Sequence, residues 1–191
     1  VLAANPFALV YQVLLRLEKA RVAAALNDFG DVFAAMREAG MLIAHVPRSA
    51  LRYMVDTVAA RWYLEAGETR HAEELIATLP GRGPAHTLLR ARLDLASGRF
   101  EAVTARLQRA DLATIRDRLT GELLLARAAI EAGDDAVEHM TVAVELAAPE
   151  HLVQVFLEEG AAVTRLARAA AESLGAESGT NLSVALGAPP G

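Results

Sequence analysis

Four glycines sit in the same local setting along this chain. Gly30, Gly67, Gly98 and Gly133 each close one apolar stretch and open a shorter one. The intervals are 37 residues from Gly30 to Gly67, 31 to Gly98 and 35 to Gly133. A recurrence near 34 residues is that of helical hairpins that cannot bury their apolar faces alone and stack on their neighbours. The expected fold is therefore all-α, a right-handed solenoid of antiparallel helix hairpins with about ten helices, which offers a surface for binding.

Composition fits that architecture. Of the 191 residues, 53% are hydrophobic but only 5% aromatic, so Ala and Leu must fill most of the core by close helix packing. The net charge of −5 is spread with both signs interspersed, unlike the basic stripe of a nucleic-acid surface. Cysteine is absent, which removes disulfides and thiolate metal sites and fits a cytoplasmic setting. Arg and Glu interrupt every long apolar run, so no membrane helix is expected. The N-terminus lacks the features of a signal peptide. The chain begins at Val1 in mid-pattern, as a piece of a longer protein would.

The hairpins follow from spacing and punctuation. The units are expected at about 6–46, 47–80, 84–110 and 111–148, with closing helices over 150–174. In the first unit Asn5 is the expected cap before Pro6, Gly30 the turn, and Asp31 the cap of the return helix. Gly67 turns the second unit, with Thr69 as cap; Gly98 turns the third; Asp111 caps the fourth, which turns at Gly133. The closing helices are expected over His151–Glu158 and Ala161–Leu174, hinged at Gly160. Residues 175–191, rich in Gly, Ser and Pro, are expected as a flexible tail or linker.

Two stretches carry a family resemblance. At the second turn, Gly67-Glu68-Thr69-Arg70-His71-Ala72 resembles a tetratricopeptide repeat, with its small residue five positions after the glycine. Gly98-Arg99-Phe100-Glu101-Ala102 is similar, with its Ala one residue early, and Gly133-Asp134-Asp135-Ala136 is shorter still. The second stretch runs from Ala143-Val144-Glu145-Leu146-Ala147-Ala148-Pro149-Glu150 into Phe156-Leu157-Glu158-Glu159-Gly160. It resembles the closing segment of the MalT-like helical-repeat domain of large LuxR-type transcriptional regulators. The resemblance spans residues 7 to 174.

The resemblance implies a sensor and oligomerisation arm that binds a small-molecule effector or a regulatory protein and self-associates. It implies an ATPase domain before the repeats and a DNA-binding domain after them. This stretch has neither a phosphate-loop motif nor a recognition helix, so ATP is expected only in the upstream domain, with no cofactor and no nucleic-acid contact here. A general tetratricopeptide-like scaffold for protein partners, including one linked to a kinase, is the alternative. No nucleophile or acid–base constellation is present, so the chain is expected not to be an enzyme.

Candidate binding residues come from phase and composition. Arg61, Arg92 and Arg127 each lie six residues before a turn glycine, so stacked repeats would place them in one column. Such a column is either an anion-binding strip or a ladder of ion pairs to Glu65, Asp94 and Glu131. Tyr53, Trp62 and Tyr63 share one helix with Arg48, Arg52 and Arg61, as core residues or as an aromatic–basic patch. Five scattered histidines lack the spacing of a metal site. Adjacent carboxylates such as Glu158-Glu159 point about 100° apart on a helix and are expected to be solvated, with a helix-end role beside Gly160.

Overall fold

The computed structural model describes residues 6–26, 28–46, 50–81, 83–150, 152–159, 161–174 and 177–187. These form eleven α-helices and no strand among the described residues. Two compact units divide the chain, residues 1–81 and residues 82–191.

In the first unit, α1 (Pro6–Ala25) and α2 (Phe29–Leu42) form one hairpin, and α3 (Ala50–Glu65) and α4 (Thr69–Thr78) the next. Val13, Leu17, Ala20 and Ala23 of α1 keep one face of a 3.6-residue period. They pack on Val32, Ala35, Met36 and Ala39 of α2 and on Val55 and Trp62 of α3. Alanine facing alanine lets α1 and α2 approach closely, as the composition requires.

The second unit contains α5 (Pro84–Ala96), α6 (Phe100–Gln108), α7 (Ile115–Ala132), α8 (Val137–Ala147), α9 (Val153–Leu157), α10 (Ala161–Leu174) and α11 (Glu177–Gly187). Helix α7 is its axis. Leu124 and Ala128 pack against Leu88, Ala91 and Val103 of α5 and α6. Leu119, Leu123 and Ala126, further round the same helix, join Met140, Val144 and Phe156 in a second core.

Three turns repeat one hydrogen-bond pattern. The Gly67 N–H donates to the Leu64 carbonyl (3.1 Å) and the Glu68 N–H to Tyr63 (2.8 Å). Gly98 and Arg99 do the same to Leu95 and Asp94, and Gly133 and Asp134 to Ile130 and Ala129. This is the Schellman closure, which needs a left-handed residue at the helix end. The φ angles of Gly67, Gly98 and Gly133 are +78°, +70° and +81°, where a side chain is strained.

Gly30 is different. It lies inside the first turn of α2, not at a helix-ending turn. Asp28 is the cap there, its side chain accepting from the Asp31 N–H, so Asp31 is a first-turn residue rather than the cap. The same shift recurs elsewhere. Glu68, not Thr69, is the N-cap of α4. Thr114, not Asp111, caps α7, its hydroxyl accepting from the Asp117 N–H at 3.0 Å and donating to the Asp117 carboxylate at 2.7 Å. Asn5, His151 and Gly160 lie outside the described residues.

The position five residues after a turn glycine is buried at two of the three turns, and Glu138 after Gly133 is exposed. Ala72 after Gly67 and Val103 after Gly98 are fully buried, whereas Ala102 is half-buried. The C-terminal stretch differs from a flexible tail, because Glu177–Gly187 is helical and packs on α10. Leu182 and Leu186 join Ala167 and Ala171 in the core, and the Ser183 hydroxyl donates to Glu172. Packing, not intrinsic propensity, accounts for a helix in so Gly- and Ser-rich a sequence.

Substituting Gly67→Ala tests the turn geometry. An added Cβ meets no atom within 4 Å, so its cost is backbone strain alone, about 1–2 kcal/mol in urea unfolding. Gly40→Ala, inside α2 with the same open space, is expected to stabilise by up to about 1 kcal/mol. Equal effects at the two positions would contradict the left-handed turn.

Candidate functional site

Two of the three in-phase arginines converge on one carboxylate. Arg92 rises from the middle of α5 and Arg127 from the equivalent part of α7. Glu159 follows the short helix α9, with its side chain only 1% exposed. The Arg92 guanidinium grips it with both terminal nitrogens, Nη1 donating to Oε2 at 2.8 Å and Nη2 donating to Oε1. Arg127 Nη1 donates to Oε2 at 3.2 Å. The pairs span 67 and 32 residues of sequence, so the cluster fastens the α9–α10 junction to α5 and α7.

The local chain explains how Glu159 reaches inward. Phe156 and Glu159 are three residues apart, hence on one face of the helical turn, and both are buried. Leu157 is exposed on the other side. The Glu159 N–H donates to the Phe156 carbonyl at 3.1 Å, and that carbonyl also accepts from the Thr164 hydroxyl of α10 at 3.2 Å. Phe156 thus seats the turn in the apolar core while Glu159 neutralises the arginines beside it. Glu159 is not the solvated carboxylate expected from its place beside Glu158.

The expected ladder of ion pairs is also redrawn at Asp94. This buried carboxylate receives Arg99 Nη2 at 2.8 Å and Arg106 Nη2 at 2.7 Å, from the start and body of α6. Its backbone carbonyl closes the Gly98 turn as well, so Asp94 locks the α5–α6 hairpin through both side chain and main chain. Arg92, two residues earlier, turns instead to Glu159.

Arg61 lies in the first unit, with its guanidinium 5.4 Å from the centre of the Trp62 ring. Trp62 is 8% exposed and belongs to the core shared by α1, α2 and α3. Its indole N–H is buried without a hydrogen-bond partner. Tyr63 leaves the supposed aromatic patch and joins a stack across the unit. Its ring is 5.0 Å from Phe33 and 5.6 Å from His71. Tyr53 alone of the three lines an open groove of about 1060 Å³, with Val46, Arg52, Asp56, Leu75 and Leu79. Asp56 in that groove is held above its ordinary carboxylate range by burial, which outweighs the nearby Arg52 charge.

Of the histidines, His71 meets Glu68 at 3.1 Å and His139 meets Glu122 at 2.8 Å. No cluster of three or more metal-ligating side chains occurs among the described residues. No described helix is long and apolar enough to cross a membrane.

Comparison with family models, with curated proteins and with solved structures finds no match to this chain.

The ion cluster predicts a specific sensitivity. Glu159→Gln keeps the shape but removes the buried negative charge that Arg92 and Arg127 both donate to. The expected loss is about 3–5 kcal/mol of the second unit's stability. Glu145→Gln, at an exposed position of α8, should change stability by less than about 0.5 kcal/mol. Chemical denaturation followed by circular dichroism distinguishes the two, and equal small effects would show that the cluster is not a fastening.

Proposed function

We propose that the chain is the helical-repeat arm of a MalT-like, LuxR-type transcriptional regulator, acting in the cytoplasm. In this reading its hairpins continue one another as a right-handed, tetratricopeptide-like solenoid. The arm takes up an effector or a regulatory protein and relays that event to ATPase and DNA-binding domains elsewhere in the protein. The supporting observation is that Glu159, from the Phe-Leu-Glu-Glu-Gly element, is buried against arginines from two repeats one period apart. The closing element that carries the resemblance and two of the three in-phase arginines meet in one ion cluster.

Such a cluster suits a relay. An ion cluster of defined geometry holds one arrangement of α5, α7 and the closing helices, and a ligand that prefers another arrangement shifts the population. The groove beside Tyr53 favours a second reading, a general protein-interaction scaffold. It combines apolar Leu75, Leu79 and Val46 with Arg52 and Asp56, which suits an extended peptide.

A thermal-shift screen against sugars, nucleotides, acyl metabolites and short peptides tests both. A ligand at 100 times its Kd adds about 2.7 kcal/mol of stability. A small-molecule hit supports the sensor arm, and a peptide hit blocked by Tyr53→Ala supports the scaffold. A coding sequence that flanks this stretch with neither a nucleotide-binding nor a DNA-binding domain would overturn the regulator assignment.

A further inference from the structure

Positive charge gathers in the middle of this acidic chain. Residues 82–118 hold eight arginines against four acidic residues, while the net charge of the whole is −5. Two of those acids are already engaged. Asp94 takes Arg99 and Arg106, and the Asp117 carboxylate accepts from the Thr114 hydroxyl. Arg90 and Arg109 form no ion pair among the described residues.

Two of these arginines line one cleft. An open cavity of about 510 Å³ lies between the first half of α5 and the second half of α6, with Thr87, Ala102, Ala105, Arg106, Arg109 and Asp111 in its wall. The four α6 side chains fall within about 100° of one another round the helix, so they share a face. Arg106 is held in place there. Its Nε and Nη2 donate to the buried Asp94 carboxylate at 2.8 and 2.7 Å, which leaves Nη1 for another acceptor. Arg109, three residues on, is exposed. Burial, and then the charges of Arg90 and Arg106, hold His86 below its ordinary range. Cations from two helices therefore converge at this end of the hairpin. The other polar groups of the cleft only accept. Thr87 donates its one hydroxyl proton to the Gly83 carbonyl at 3.2 Å, and Asp111 is a carboxylate.

We propose that this cleft binds a small phosphomonoester rich in hydroxyl groups, of the sugar-phosphate class. Arg106 and Arg109 hold its phosphate, and its hydroxyls donate to Thr87 and Asp111. The guanidinium fork matches phosphate oxygens, and Asp94 orients one such fork in advance. The volume of about 510 Å³ is that of a small-ligand site. No aromatic side chain lines the cleft for a nucleobase to stack on. Asp111 and the chain's negative charge oppose a long polyanion such as RNA. The inference concerns this cleft alone and stands apart from the regulatory reading.

Calorimetric titration of the whole chain with glucose 6-phosphate tests it, beside glucose, inorganic phosphate, a phosphoserine peptide and a short RNA. The expected result is binding of glucose 6-phosphate, at least about tenfold tighter than either glucose or inorganic phosphate. Arg109→Ala should weaken it by about tenfold or more. Residue 109 is exposed, so that variant should keep the parent's circular dichroism. Arg116→Ala removes an exposed arginine outside the cleft and should leave binding unchanged. The His86 ring, assigned in proton NMR by its loss in His86→Gln, should titrate at higher pH with the ligand bound, because the phosphate offsets the charges of Arg90 and Arg106. No binding up to about 10 mM overturns the proposal. So does equal weakening by Arg109→Ala and Arg116→Ala, or tighter binding of the peptide or the RNA. Inorganic phosphate binding as tightly as glucose 6-phosphate overturns the role given to the hydroxyls.

Discussion

A buried carboxylate is costly unless its charge is answered within hydrogen-bond reach, and Glu159 is answered twice. Moving an isolated carboxylate or guanidinium out of water costs several kcal/mol even after relaxation. The cost is offset here because Arg92 meets the carboxylate with two parallel N–H groups, the geometry that suits a guanidinium best. Arg127 adds a third donor from the next repeat while keeping a quarter of its side chain in water. The arrangement works only if α5, α7 and the α9–α10 junction are all in place. That is why it specifies the second unit's architecture more sharply than apolar packing alone, which tolerates sliding.

The remaining structure supplies what this constraint needs. The Schellman turns at Gly98 and Gly133 end α5 and α7 at fixed points, each six residues beyond its arginine. The side chains of Arg92 and Arg127 therefore leave their helices at the same height relative to the turn. Asp94 holds Arg99 and Arg106, which keeps α6 seated and leaves Arg92 to face the closing segment. Phe156 fixes the depth of the turn that delivers Glu159. The chain spends its charged residues on long-range fastening and its alanines on close approach.

How much of this was legible depended on how local the signal was. Turns at Gly67, Gly98 and Gly133 were legible because positive φ admits almost only glycine, so the residue names the conformation. Gly30 had the same flanking pattern but sits in a helix, since Asp28 had already supplied the cap. The in-phase arginines were visible as a spacing, yet their partner was not. Glu159 lies 67 residues from Arg92 beside another glutamate at a helix end, a context in which carboxylates are usually solvated. The signal that could have found it was the Phe156–Glu159 spacing, which puts an aromatic and a carboxylate on one inward face. Trp62 was open between core and patch, and its neighbours on α1 and α2 decide for core. Helix α11 was hidden because, among its described side chains, Leu182 and Leu186 are the apolar residues that reach the core, and they do so by packing with residues of α10.

The central claim is that two arginines one repeat apart act through a single carboxylate, and a double-mutant cycle tests it directly. Stability would be measured for Arg92→Leu, Arg127→Leu and the pair, first with Glu159 present and then with Glu159→Leu. Either single change removes one of the two arginines that donate to Glu159, and the pair removes both. The account therefore predicts a loss in the double variant that exceeds the sum of the singles by about 1–3 kcal/mol, and that excess vanishes without Glu159. Additivity within about 0.5 kcal/mol with Glu159 present would contradict it.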